Sequence, residues 1–151
     1  MSATISITIK NYAEIEQLFT RMPERMIKAL DTAVERCILK IQSDAMKEAP
    51  VNKQSGGGNL RQSIKAMMTG PASGKVEVGA SYGIYVHEGT APHIIRIVNK
   101  RVLANRRTNQ VFGTIVHHPG TKANPFLQRA VDKNSDFIDK QFENAVDEAL
   151  K

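Results

Sequence analysis

The sequence predicts an α+β domain in which a small, mainly antiparallel sheet packs against a long N-terminal helix and a C-terminal helix. Three observations predict it. Apolar residues recur at spacings of three and four from Met26 to Ala45, the stripe of an amphipathic helix. A similar apolar side runs through Leu127, Ala130, Val131, Phe137, Ile138, Phe142, Val146 and Leu150. Between them lie short alternating segments bounded by Gly and Pro, the pattern of half-buried strands joined by turns. Helices gathered at the ends of a run of strands cover one face of a sheet, and no internal repeat or second domain boundary interrupts positions 1–151.

At the N-terminus, Ile5, Ile7 and Ile9 alternate with polar residues across Thr4–Lys10, which predicts a strand. Asn11 with Glu14 resembles a capping box, so a short helix is expected from Tyr12 to about Thr20. Pro23 suits the first position of the long helix. Its stripe is Met26, Leu30, Ala33, Val34, Cys37, Ile38, Ile41 and Ala45, and Pro50 ends it after Glu48. At about 1.5 Å per residue this helix is roughly 40 Å long.

Val51–Asn59 contains Ser55-Gly56-Gly57-Gly58 and reads as a flexible loop. Leu60–Met68 is expected to open as a helical turn and continue as a strand. Gly70–Gly74 then forms a turn, and Lys75–Ala80 a second strand, giving a β-hairpin. Tyr82–Glu88 is a short apolar segment ending at Gly89. Ile94–Val98 and Val111–Val116 read as two more strands, separated by a polar, basic and exposed loop, Asn99–Gln110. His117–Asn124 is expected as a loop. Asn124-Pro125, an N-cap followed by proline in the first turn, starts a final helix running toward Leu150.

Composition narrows the function classes. The chain has 151 residues, long enough for a core without disulfides or metals, and its single cysteine excludes an internal disulfide framework. No apolar run approaches the roughly 20 residues that span a bilayer, and the first ten positions lack a signal-peptide block, so assembly in the cytoplasm without membrane contact is expected. Net charge is +6, which points to a polyanionic or acidic neighbour. That charge is segregated. From Gly89 to Val131 there is no Asp or Glu, while Arg96, Lys100, Arg101, Arg106, Arg107, Lys122 and Arg129 all fall there. The final helix carries Asp132, Asp136, Asp139, Glu143, Asp147 and Glu148 against Lys133, Lys140 and Lys151. Such runs suit solvated faces; they equally suit a basic loop that meets an acidic surface, either DNA or an unlike patch on a neighbouring copy, the latter being the kind of contact that closes rings. On the second reading, reversing Arg106 and Arg107 to Glu weakens self-association.

Catalytic constellations are missing. His87, His93, His117 and His118, with Glu88, do not have the spacing of a zinc or metalloprotease motif, and adjacent His117 and His118 on a strand would face opposite ways. Cys37 lies on the apolar stripe as a core thiol. The Gly56-Gly57-Gly58 run is not followed by the Lys-Ser/Thr of a phosphate-binding loop. No catalytic, cofactor or metal residues are assigned and no enzyme activity is expected. The basic stretch could track a phosphate backbone, yet only Phe112 and Phe126 interleave it, too few for a single-strand binder.

Four segments in a fixed order give the chain a resemblance. The long helix ends in Glu48-Ala49-Pro50-Val51. A glycine-containing loop leads to Gly58-Asn59-Leu60-Arg61-Gln62-Ser63-Ile64. Next comes Tyr82-Gly83-Ile84-Tyr85-Val86-His87-Glu88-Gly89-Thr90. Last is His118-Pro119-Gly120-Thr121-Lys122-Ala123-Asn124-Pro125-Phe126-Leu127. This pattern resembles the siphophage head–tail joining and tail-completion proteins, also called neck or minor tail proteins. A looser Lys-Gln-Ser-Gly-Gly-Gly stands at 53–58 where that family typically has Thr-Gly. The resemblance implies a virion protein assembled in the host cytoplasm. It implies a homo-oligomer, six copies if it follows tail symmetry, placed between portal or connector and tail proteins. A non-specific DNA-binding accessory protein is the alternative. Within the motifs, Glu88, Gly89, Thr90, Pro119, Gly120, Pro125 and Phe126 read as architectural: the glycines permit sharp turns, Pro125 starts a helix and Phe126 anchors it. Glu88 suits either a cap or pair near the basic loop or a local turn. The interaction residues are then Arg96, Lys100, Arg101, Arg106, Arg107 and Lys122.

Overall fold

The computed structural model describes residues 24–51, 57–98, 102–105 and 109–149. The expected N-terminal strand and short helix, most of the glycine-rich loop, and Lys100, Arg101, Arg106 and Arg107 lie outside them. The chain divides into two compact units, one drawn from Met1–Ile84 and Pro125–Lys151, the other Tyr85–Asn124. The class is α+β, with a long N-terminal helix, C-terminal helices and small antiparallel sheets.

In the first unit α1 (Glu24–Glu48) spans 25 residues, with Glu24 in its first turn and Lys47 in its last, both favourable to the helix dipole. Every apolar position of the expected stripe is buried: Met26, Leu30, Ala33, Val34, Cys37, Ile38, Ile41 and Ala45. Ala49 extends the last turn by donating to the Ala45 carbonyl at 2.8 Å before Pro50 stops it. A single helical turn, α2 (Asn59–Gln62), buries Leu60, and Ser63 Oγ returns to the Leu60 carbonyl at 2.7 Å.

The hairpin follows as β1 (Ile64–Gly70) and β2 (Ser73–Val78). Ile64 pairs with Val78 and Ala66 with Val76, so one face of the ribbon is apolar and packs on α1. Lys65–Glu77 and Met67–Lys75 take the other face. The turn is tighter than the expected Gly70–Gly74: only Pro71 and Ala72 lie outside the strands. Ala72 adopts φ 46°, and its N–H donates to Asp31 Oδ1 of α1 at 2.5 Å, which ties the turn to the helix. At the other end Gln42 Nε2 donates to the Ile64 carbonyl at 2.9 Å.

The expected single C-terminal helix is two helices, α4 (Phe126–Asp132) and α5 (Ser135–Ala149). Phe126, Leu127 and Ala130 of α4 are buried, and α1 packs against α4 and α5. The break at Lys133–Asn134 has a polar cause. Asn134 is 4% exposed, and its Nδ2 donates to Asp44 Oδ2 at 3.0 Å and to the Ala130 carbonyl at 2.7 Å. Its own carbonyl accepts from Ile138 N–H at 2.9 Å, which starts α5. The expected N-cap is also displaced: Pro125, not Asn124, precedes the first turn of α4, without a side-chain cap.

In the second unit, two ladders replace a continuous sheet. β3 (His93–Arg96) pairs with β6 (Ile115–His118), and β4 (Leu103–Asn105) pairs with β5 (Gln110–Gly113), both antiparallel. The strand expected over Val111–Val116 is thus two strands, parted at Thr114 after Gly113 turns to φ 89°. The expected loop Asn99–Gln110 contains β4, whose Leu103 and Ala104 are matched to Gly113 and Val111. The expected loop His117–Asn124 begins with two residues of β6.

Candidate functional site

Two of the four segments that carry the resemblance meet inside the second unit. Tyr82–Glu88, read from sequence as a short apolar segment, forms a helix, α3 (Gly83–Glu88). Gly89 follows at φ 76°, the left-handed position that ends helices and favours glycine. The exposed carbonyls of that helix end are met by the later motif: Asn124 N–H lies 3.0 Å from the Val86 oxygen and 3.1 Å from that of His87. Thr90 and Thr121 then form an isolated antiparallel bridge. Thr90 N–H donates to the Thr121 carbonyl at 2.9 Å, and Thr121 N–H reaches the Thr90 carbonyl at 3.1 Å and Thr90 Oγ1 at 3.0 Å.

This bridge leaves no room for side chains at its glycines. A Cβ at Gly89 would overlap the Thr121 carbonyl and stand 2.7 Å from Ala123 N. Gly120, at φ 87°, would drive one into the Thr90 carbonyl and to 2.9 Å from the Ala91 carbonyl carbon. Each glycine therefore admits the opposite strand's backbone as well as a left-handed turn.

Histidines close the same end. His93 and His118 are register partners, and their rings stack with centroids 4.9 Å apart. His118 Nδ1 accepts from Gly120 N–H at 3.1 Å; His93 Nδ1 lies 3.0 Å from the Ala91 carbonyl, which requires the proton on that nitrogen. His117 pairs with Ile94 on the other face, as the alternation expected for adjacent histidines on a strand requires.

The remaining expected site residues are placed as follows. Arg96 ends β3 and is exposed; Lys122 and Pro119 are exposed around Gly120; Glu88 is exposed at the end of α3. Pro125 stands just before α4, and Phe126 is fully buried in the first unit. Arg129, also in the charge-segregated stretch, is engaged elsewhere, its Nε 3.2 Å from Glu48 Oε2.

A charged cluster in the first unit escaped the sequence reading. Asp44 sits on the apolar stripe of α1 and is 2% exposed. Lys40 Nζ lies 2.7 Å from Oδ2 and Lys47 Nζ 2.8 Å from Oδ1, with Asn134 the third donor. The lysines, then Asn134, hold its carboxyl well below the usual carboxylate range; burial opposes them more weakly. A carboxylate with lysines at i−4 and i+3 on an apolar face was the available signal. Cys37 is buried, and burial pushes its thiol up, away from nucleophilic use.

Among the described residues, no three His, Cys, Asp or Glu side chains gather to hold a metal, and no helix is long and apolar enough to cross a membrane. The chain matches no protein-family model, no curated protein and no solved structure.

Proposed function

We propose that this chain is a structural subunit of a tailed bacteriophage, acting in head–tail joining or tail completion by self-association at the neck or head-proximal tail end. The observation that carries the reading is the lock between the third and fourth motifs of the resemblance. Gly89-Thr90 and Gly120-Thr121 are held by reciprocal backbone bonds and by glycines that tolerate no Cβ. These residues shape and fasten a strand ribbon, and their spacing serves geometry, not proton or group transfer. In this reading the protein takes no cofactor, works in the virion after assembly in the host cytoplasm, and bridges portal-side and tail-side partners.

Electron microscopy of lysate from a phage or prophage lacking this gene tests the proposal. Separate DNA-filled heads with detached or misterminated tails are expected; normal infectious particles would overturn it. The absence of Asp and Glu from Gly89 to Val131 favours a second reading, a non-specific DNA-binding accessory protein. Filter binding to duplex DNA across a salt series separates the two. Micromolar binding that falls steeply with salt is the signature of phosphate contacts.

A further inference from the structure

Register and exposure define an unpartnered face on the β3–β6 ribbon. Paired residues of an antiparallel ladder share a face. Ile94 pairs with His117 and Arg96 with Ile115, so these four side chains stand together on one side. All four are exposed, with Ile94 at 49% and Ile115 at 51%. On the opposite face Ile95, Val116 and His118 are half-buried and only His93 is exposed. The ribbon thus turns its more open face outward with two isoleucines and an arginine, in a stretch without any acidic residue.

The first unit carries a surface of opposite character. Asp139, Phe142, Glu143, Val146 and Asp147 line an open groove along α5. They recur at spacings of three and four, which puts them on one stripe of the helix. Three carboxylates flank two apolar side chains, and Val146 is 41% exposed.

We propose that the Ile94–Ile115 face of one copy docks on the α5 groove of a second copy, with Arg96 toward Asp139, Glu143 and Asp147 and the isoleucines against Phe142 and Val146. Charge complementarity selects a second copy as the occupant: one chain carries a face with a cation and no acid, and a groove whose lining, among the described residues, holds three acids and no cation, with Lys140 exposed on the same helix outside it. The apolar half of the face disfavours a phosphate backbone, which would leave two isoleucines against charge. Because the two surfaces differ, the contact is heterologous and propagates into a closed ring or an open helix. The inference deepens the assembly reading above and supplies its subunit contact.

The test uses the full chain. Sedimentation of Asp139→Lys/Glu143→Lys should show self-association weakened about tenfold or more, since attraction becomes repulsion at two positions. Arg96→Glu should weaken it too, and chains carrying Arg96→Glu should recover association with chains carrying the α5 reversals. For assembly that needs a template, particles bearing Ile115→Cys and Val146→Cys together should give covalent ladders with a short bismaleimide, and either substitution alone should not.

Undiminished association and no ladder would overturn the contact. Ladders from Ile115→Cys alone would replace it with ribbon-on-ribbon pairing. Loss of DNA binding in Arg96→Glu, with self-association intact, would assign the ribbon to nucleic acid. Normal particles from the α5 reversals, beside detached heads from the gene deletion, would sink this contact and leave the joining role standing. Normal particles from the deletion would sink the joining role, while the cross-links would still decide the contact.

Discussion

Asn134→Ala removes the side-chain donor that links the α4–α5 junction to the buried carboxylate of α1. Asp44 keeps Lys40 and Lys47, which lie on its own helix at i−4 and i+3. Its charge therefore stays paired, and the loss is that of one hydrogen bond to a charged group, about 1.5–3 kcal/mol, together with the bond to the Ala130 carbonyl, about 0.5–1.5 kcal/mol. Asp44→Ala removes the first of these bonds from the other side, along with two local lysine pairs worth roughly 0.3–0.5 kcal/mol each. If the Asn134–Asp44 bond is what stabilises the junction, the double variant should be only a little worse than Asn134→Ala. The coupling from urea unfolding of the four proteins should then fall at about 1–2 kcal/mol. Effects that add to within about 0.3 kcal/mol would refute the reasoning, and the break between α4 and α5 would need another cause.

Acidification tests the same cluster. Because the folded carboxyl of Asp44 titrates well below its unfolded value, its contribution is complete above the unfolded pKa of about 4 and is lost as pH falls below that. The stability difference between wild type and Asp44→Asn, followed by chemical unfolding, should shrink steadily over that acid range; a difference unchanged to the lowest accessible pH would contradict it. Gly120→Ala should cost about 1–2 kcal/mol for its left-handed backbone and a further ~0.5–1.5 kcal/mol for each Thr90–Thr121 bond that must open. Hydrogen exchange should report lost protection at the Thr90 and Thr121 amides. Gly113→Ala, at a similar φ but with open space around it, should cost the backbone part alone and leave those amides protected. Truncating fully buried Phe126 to Ala should cost about 3–5 kcal/mol in thermal or urea unfolding, and a loss below 1 kcal/mol would mean that the start of α4 is not anchored in the core.

Elements whose side chains declare a face were legible in the sequence. The α1 stripe from Met26 to Ala45 and the hairpin on Ile64, Val76 and Val78 depend on apolar periodicity, and packing followed it. What periodicity could not reveal was a polar interruption answered from a distance. The apolar side of the last helix reads continuously through Val131 and Phe137, but Asn134 finds Asp44 ninety positions away, and the chain breaks to let it. A second-unit strand such as β4 has almost no apolar pattern of its own, since its pairing with β5 is set by backbone register. The candidate site was half legible. Gly89, Thr90 and Gly120 were singled out as turn-makers, but that each glycine accommodates the other motif's backbone is a fact of the fold. Arg96 and Lys122 were marked by charge; the apolar partners Ile94 and Ile115 read as ordinary strand residues, because one sequence does not say which face of a two-stranded ribbon is left uncovered.

The Asn124 amide lies against the last carbonyls of α3, so the segment leaving at Gly89 returns within one hydrogen bond of where it departed. A stretch of chain that starts and finishes at one point behaves as a cassette. Residues between the Thr90–Thr121 bridge could be lengthened, shortened or exchanged without changing the distance the flanking chain must cover. Selection acting on what the ribbon touches could then proceed separately from selection on the helical core, with the two glycines as the fixed hinge-pins of the exchange.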